Sequence, residues 1–273
     1  MRPVVFLSDF GLDDAYVGTC HAVMRRIAPG LEIVDLSHGI APQQVLAGAV
    51  ALHEAAPYLP TDAIVVAVVD PGVGSARRAL CVRGGDRRFY VGPDNGLLLL
   101  AAERQGALFE ARELADPRWR LDPLSATFHG RDLFAPAAAH LAAGVSFAEL
   151  GPTVDPSLLV RLELPRAVVT PGQLHAAALA VDRFGNIQLA AGVADLVAAG
   201  FVPGARVAVD AGQVAPAEAT VARTFSDVEP GALLLHEDSA GRLELALSGG
   251  SAARALGLAA ATLPSLSFTL LAR

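Results

Sequence analysis

The chain has 273 residues, of which 53% are hydrophobic, and a formal net charge of −7. That apolar content supports a packed core and excludes intrinsic disorder. The acidic balance, with no long run of Arg and no Lys at all, argues against a nucleic-acid partner.

In chain order, VVFLSD from Val4 reads as a strand, 15–27 as a helix, LEIVDLS from Leu31 as a strand and 43–56 as a helix. That alternation predicts a parallel sheet with crossover helices. AIVVAVVD from Ala63 is almost continuously apolar, as a central strand buried on both faces should be. ALCVRG and RRFYVG read as paired strands turning at Gly84-Gly85, and helices are expected over 97–104 and 133–143. The texture changes over 158–172, where Pro165 and Pro171 flank a linker-like stretch. Beyond it, LHAAALAVD, ARVAVD, GALLLHED and RLELALSG are short and strand-like, with one helix over 193–199. The expected fold class is α/β: an N-terminal parallel-sheet α/β domain over 1–160 and a smaller, mostly β domain over 172–273.

The N-terminus enters an apolar strand without the regions of a secretory leader, and no apolar run approaches the roughly 20 residues of a membrane helix. A cytoplasmic chain with no membrane partner is expected. Cys20 and Cys81 lie in apolar segments and read as buried, reduced thiols.

Ligands of open α/β sheets sit beyond the C-terminal strand ends. Polar groups fall there repeatedly: Ser8 and Asp9 after the first strand, Asp70 in VDPGVG, Asp94 and Asn95 in GPDNG, and 182–186 in DRFGN, with the loop TFHGRD (127–132) adding a His. Each has a plain structural reading as a cap or turn, and their spacing does not identify a substrate. The seven His are scattered singly, without HxH, HExxH or CxxC pairings, so no metal site is expected. The first strand leads into DFGLDD rather than GxGxxG, and there is no GxSxG elbow or P-loop.

The ordered set FLSDFG (6–11), VDPGVG with Arg77, GPDNG (92–96), FHGRD (128–132) and DRFGN (182–186) closely resembles the S-adenosylmethionine hydroxide adenosyltransferase family, relatives of the fluorinase and chlorinase enzymes. The resemblance covers nearly the whole chain. It implies a β-barrel-like C-terminal domain, a homotrimer with substrate held between neighbouring subunits, and hydrolysis of S-adenosylmethionine to adenosine and L-methionine without any further cofactor. Position by position, it implies Asp70, Arg77 and His129 as the water-handling group, and Asp9 as the ribose-diol carboxylate. Asp182, Phe184 and Asn186 fall among its methionine-end and adenine contacts. Asp94, Asn95 and Phe128 join the expected substrate-binding set. The halogenating relatives replace the Asp of VDPGVG with Tyr, lack the following Arg, carry Tyr-Ser where this chain has His129-Gly130, and bear an inserted loop. The SGGS stretch (248–251) departs from the pattern, with Ser in place of Asn.

These residue types suit displacement at the ribose C5′ carbon. The sulfonium leaves as a neutral thioether, so the demanding part is presenting a desolvated, aimed oxygen. A guanidinium stabilises developing hydroxide, His129 is expected to accept a proton, and Asp70 to orient the group and offset the Arg77 charge. A carboxylate at Asp9 can accept from both vicinal hydroxyls. Two other readings remain open: a 5′-halogenase, and a protein that binds S-adenosylmethionine or adenosine without turnover.

Overall fold

A computed structural model describes residues 1–273 apart from 109, 213, 259–262 and 272–273. It divides into two compact units, Met1–Leu162 and Glu163–Arg273.

The first unit opens with strand β1 (Val4–Ser8), helix α1 (Tyr16–Ile27), β2 (Ile33–Ser37), α2 (Val45–Ala55) and β3 (Ile64–Val68). The antiparallel pair β4 (Ala79–Arg83) and β5 (Phe89–Pro93) follows, then α3 (Leu99–Ala102), β6 (Glu110–Glu113), α4 (Ala135–Ala142) and β7 (Thr153–Val154). The sheet order is β2-β1-β3-β5-β4-β6-β7, with the first four strands parallel. Every residue of VVFLS and IVVAV is buried because helices cover both faces. The period of two sorts them: Val4, Phe6, Ile64 and Val66 pack with α1 and α4, whereas Val5, Leu7, Val65 and Ala67 pack with α2 and α3.

Two helices differ from their sequence expectation. Over 97–104 only Leu99–Ala102 is helical, because Asn95 Oδ1 holds the Leu97 N–H in a turn at 3.2 Å and the chain leaves through Gly106 at φ +124°. Over 133–143 the chain starts as a π-helical stretch, Gly130–Phe134, that runs into α4. Pro136 has no N–H for the Asp132 carbonyl, which accepts from Leu121 N at 2.8 Å instead, while the Ala135 N–H reaches back to Gly130.

The second unit contains β8 (Val168–Thr170), β9 (Gln173–Val181), β10 (Ile187–Gly192), α5 (Val193–Ala198), β11 (Arg206–Asp210), β12 (Ala217–Val221), β13 (Leu233–Glu237), β14 (Arg242–Leu247), α6 (Ala252–Ala255) and β15 (Ser265–Leu270). Its order is β10-β14-β13-β12-β11-β15-β9, and the β9–β10 pairing closes these seven strands into a barrel, with β8 added on β9. Leu174, Ile187, Val207, Leu235, Leu245 and Phe268 fill its interior. No helix among the described residues is long and apolar enough to cross a membrane. Both cysteines are buried, and burial pushes the Cys20 thiol up to about 12, which keeps it a poor nucleophile.

Candidate active site

The C-terminal ends of the two central strands place Asp9, just past β1, and Asp70, just past β3, on one recess of about 140 Å³. Phe10, Val73, Phe128 and His129 complete most of its wall. Arg77 reaches Asp70 from two residues ahead of β4: its Nε donates to both carboxylate oxygens at 2.9 and 3.0 Å, and Nη2 also pairs with Oδ2. Both side chains are nearly buried, at 6% exposure for Asp70 and 11% for Arg77. The same Nη2 donates to His129 Nδ1 at 2.9 Å.

The loop between Asp70 and Arg77 is held against the His129 loop by backbone contact. Gly74 has φ +76°, and a Cβ there would stand 2.4 Å from the Ala126 carbonyl oxygen, so only glycine permits this approach. His129 itself heads the π-helical stretch, and the buried Asp132 accepts from Ser125 N at 2.9 Å to fix the loop in front of it. Phe128 meets Phe10 and Tyr16 edge-on, with ring centres 5.7 and 5.1 Å away.

Electrostatics separate the two acids. Burial lifts the Asp9 carboxyl above its usual range, opposed by the Gln43 N–H that donates to Oδ2 at 2.8 Å, with the nearby Asp70 charge adding to the rise. His129 is moved the other way: burial, reinforced by the Arg77 charge, holds its pKa below 6.5 and keeps the ring neutral near pH 7. Since a guanidinium only donates, Nδ1 of that neutral ring is the acceptor and Nε2 carries the hydrogen. In this arrangement the Nδ1 lone pair is engaged by Arg77.

The structure therefore brings Asp9, Asp70, Arg77, Phe128 and His129 together. Asp94 and Asn95 do not line this recess. Asp94 pairs with Arg78 at 2.8 Å and accepts from Val160 N at 2.9 Å, while Asn95 donates to the Val69 carbonyl at 2.8 Å. These are bonds that shape loops.

Asp182, Phe184 and Asn186 belong to the second unit, where they line a cavity of about 940 Å³. Asp182 Oδ1 accepts from the N–H groups of Phe184 and Asn186 at 2.9 and 2.8 Å, which ties the β9–β10 turn into one conformation. Phe184 is 70% exposed as a result. Gly185 has φ +87°, and a Cβ there would lie 1.9 Å from Ser251 Oγ.

The family description SAM hydroxide adenosyltransferase N-terminal domain matches residues 4–151, and the corresponding C-terminal domain matches 176–262. The chain belongs to the SAM hydroxide adenosyltransferase family. It is 46% identical over 255 residues to the (R)-S-adenosyl-L-methionine hydrolase of Salinispora arenicola, spanning 93% of this chain and 94% of that protein. Identity to a fluorinase of Actinopolyspora mzabensis is 30% over 278 residues, spanning 92% and 93%. A crystal structure of an uncharacterized conserved protein from Thermotoga maritima superposes with a TM-score of 0.87 at 33% identity, over 97% of this chain and 99% of that one.

In this SAM hydroxide adenosyltransferase family member, sequence reasoning missed Phe10, Val73, Thr127 and Gly130 in the recess. It also missed Arg223, Phe225, His236 and Glu244 in the second cavity. Phe10, Val73, Thr127 and Gly130 lie inside the FLSDFG, VDPGVG and TFHGRD motifs and so carry a signal. Arg223 to Glu244 lie on and between strands whose alternation reads as ordinary barrel packing. Among the described residues, one grouping has metal-ligand chemistry, His21 with Asp35 and His38, and none of the three lines the recess.

Proposed function

We propose that this chain is an S-adenosyl-L-methionine hydrolase that delivers water to the ribose C5′ carbon and releases adenosine and L-methionine. The observation that carries the reading is the partly buried Asp70–Arg77–His129 chain of hydrogen bonds at the recess. Asp70 neutralises and fixes Arg77, Arg77 fixes His129, and the Nε2–H of His129 is left to hold an oxygen nucleophile. Counting Asp9 and Asp70 as carboxylates against Arg77, the recess has a formal charge of −1, which suits a cationic sulfonium.

In the step itself, a water oxygen forms the new bond to C5′ while the C5′–sulfur bond breaks and its electron pair stays on sulfur as a thioether. The water gives its proton to solvent as the bond forms and not after it, so the attacking oxygen takes on hydroxide character. Asp9 accepts from the ribose hydroxyls and sets C5′ against that oxygen. Arg77 and the His129 N–H stabilise charge that develops on the oxygen, an interaction stronger in the transition state than in the ground state. No cofactor is required by this balance. The (R)-epimer named for the Salinispora hydrolase is the sulfonium configuration we expect here too.

Ligand pockets usually measure about 300–1,000 Å³, so the recess fits the reacting end of the substrate and not all of it. A homotrimer with substrate held between neighbouring subunits supplies the remainder, with Asp182, Phe184 and Asn186 contacting its methionine and adenine ends, and a cytoplasmic location is part of the same reading. Light scattering should give a stable trimer; a fully active monomer would remove this element. Chromatography after incubation with each sulfonium epimer, with and without chloride or fluoride, tests the reaction. Adenosine and methionine in all halide conditions are expected. A 5′-halo-adenosine would assign a halogenase, and unchanged ligand a binding protein.

A further inference from the structure

His21 on α1, Asp35 on β2 and His38 just after it are separated by 14 and 3 positions, which hides them from motif reasoning. The fold brings their ligand atoms within 4.8 Å of one another. His21 Nε2 lies 2.8 Å and His38 Nε2 3.0 Å from the same oxygen, Asp35 Oδ1. We propose that these three side chains form a binding site for a borderline divalent transition ion, with zinc as the best fit, separate from the catalytic recess.

Two imidazoles and a carboxylate are a zinc donor set, and a fourth position open to water completes a tetrahedron. The opening is present: Asp35 is 41% exposed on the edge strand of the sheet, His21 is 23% exposed, and His38 is buried at 1%. Zinc–ligand bonds of about 2.0–2.1 Å set tetrahedral ligand atoms about 3.3–3.4 Å apart, so each imidazole need move only a few tenths of an ångström from Asp35 Oδ1, while the two imidazole nitrogens, already within 4.8 Å of each other, take up the same spacing. The second contact of His38 supports the reading. Its Nδ1 sits 2.7 Å from the buried Ser8 Oγ, and when Nε2 binds a metal, Nδ1 carries the hydrogen and donates it to that hydroxyl. The same hydroxyl accepts from Phe10 N at 3.2 Å, and the His38 carbonyl accepts from Gly11 N at 2.8 Å. An ion here therefore braces the loop that carries Asp9.

The test is isothermal titration of EDTA-stripped full-length protein with zinc chloride, together with melting curves, for wild type, His21→Ala and Asp35→Ala. His21→Ala removes a ligand from a helix surface and leaves the His38–Ser8 bond intact, so it should fold. Saturable uptake of a single zinc per chain, a higher Tm with the ion, and affinity about tenfold or more weaker in both variants are expected. Absence of saturable binding, or equal binding in wild type and His21→Ala, overturns the site and leaves a hydrogen-bond network around Asp35.

Discussion

Arg77 donates to His129 Nδ1 at 2.9 Å, and this single bond decides which form of the imidazole the site uses. Protonation of His129 would place a hydrogen between two donors and eject Arg77 from the contact. The neutral ring is the working form, and burial together with Arg77 extends its range below pH 6.5.

Activity should consequently hold through neutral pH and fall on the acid side, through a pKa beneath the ordinary His value of about 6.5. The sign for stability is the same: the folded state binds fewer protons at His129 than the unfolded chain, so its contribution is present above about 6.5 and is lost as pH falls from there through the lowered folded-state pKa. A kcat–pH profile checks this, and an acid limb above pH 7 would contradict it. In His129→Gln an amide N–H replaces Nε2–H, so the variant should keep measurable turnover and lose the limb. Collapse of His129→Gln to the level of His129→Ala would restore the proton-acceptor role.

Arg77→Ala should lower kcat by about 10²–10³-fold while changing the substrate Kd only severalfold, since a guanidinium gives a cationic substrate no ground-state attraction. Single-turnover rates beside equilibrium binding separate the two. The buried Asp70 is left without its partner, so a lower Tm should accompany the loss.

Asp9→Ala is expected to show the opposite split. It removes charge-assisted hydrogen bonds to the ribose hydroxyls worth about 1.5–3 kcal/mol each, so Kd should rise about tenfold or more with a smaller change in kcat. An unchanged Kd in direct titration would take Asp9 out of the site.

Chelation should leave adenosine formation intact at temperatures where the chain stays folded, because the proposed step assigns the water to Asp70, Arg77 and His129 with no metal. If the His21–Asp35–His38 site fills, EDTA lowers Tm and not kcat. Loss of turnover that zinc restores would tie the ion to the chemistry instead.

Gly185→Ala should destabilise the second unit by about 1–3 kcal/mol, since the new Cβ meets Ser251 at φ +87°. Denaturant unfolding gives the number, and a neutral effect would mean that the β9–β10 turn adapts freely.

Much of the frame was legible because β1 and β3 are fully buried runs that only a covered parallel sheet explains, and because the barrel strands β9, β11, β13 and β14 are bounded by Gly, Pro or Asp. Strands such as EARE at β6 and AEATV at β12 carry too few apolar residues for a pattern. At the site, Asp9 and Asp70 were found by their place after buried strands. The tautomer of His129 was not, since it depends on where a guanidinium seven residues beyond Asp70 folds back. Likewise, Asp94 resembles a site residue in GPDNG until its oxygens are seen on Arg78 and Val160.

The excess of one carboxylate over guanidinium in the recess has a bearing on the end of the catalytic cycle. The sulfonium gives the incoming substrate its net positive charge, and that charge ceases to exist when the C5′–sulfur bond breaks. Adenosine is neutral and keeps only its ribose-hydroxyl bonds to Asp9, and methionine is a zwitterion, so neither retains the attraction that a net positive charge gave the substrate. Each product should bind more weakly than the substrate, and a neutral thioether analogue should compete less well than a sulfonium analogue.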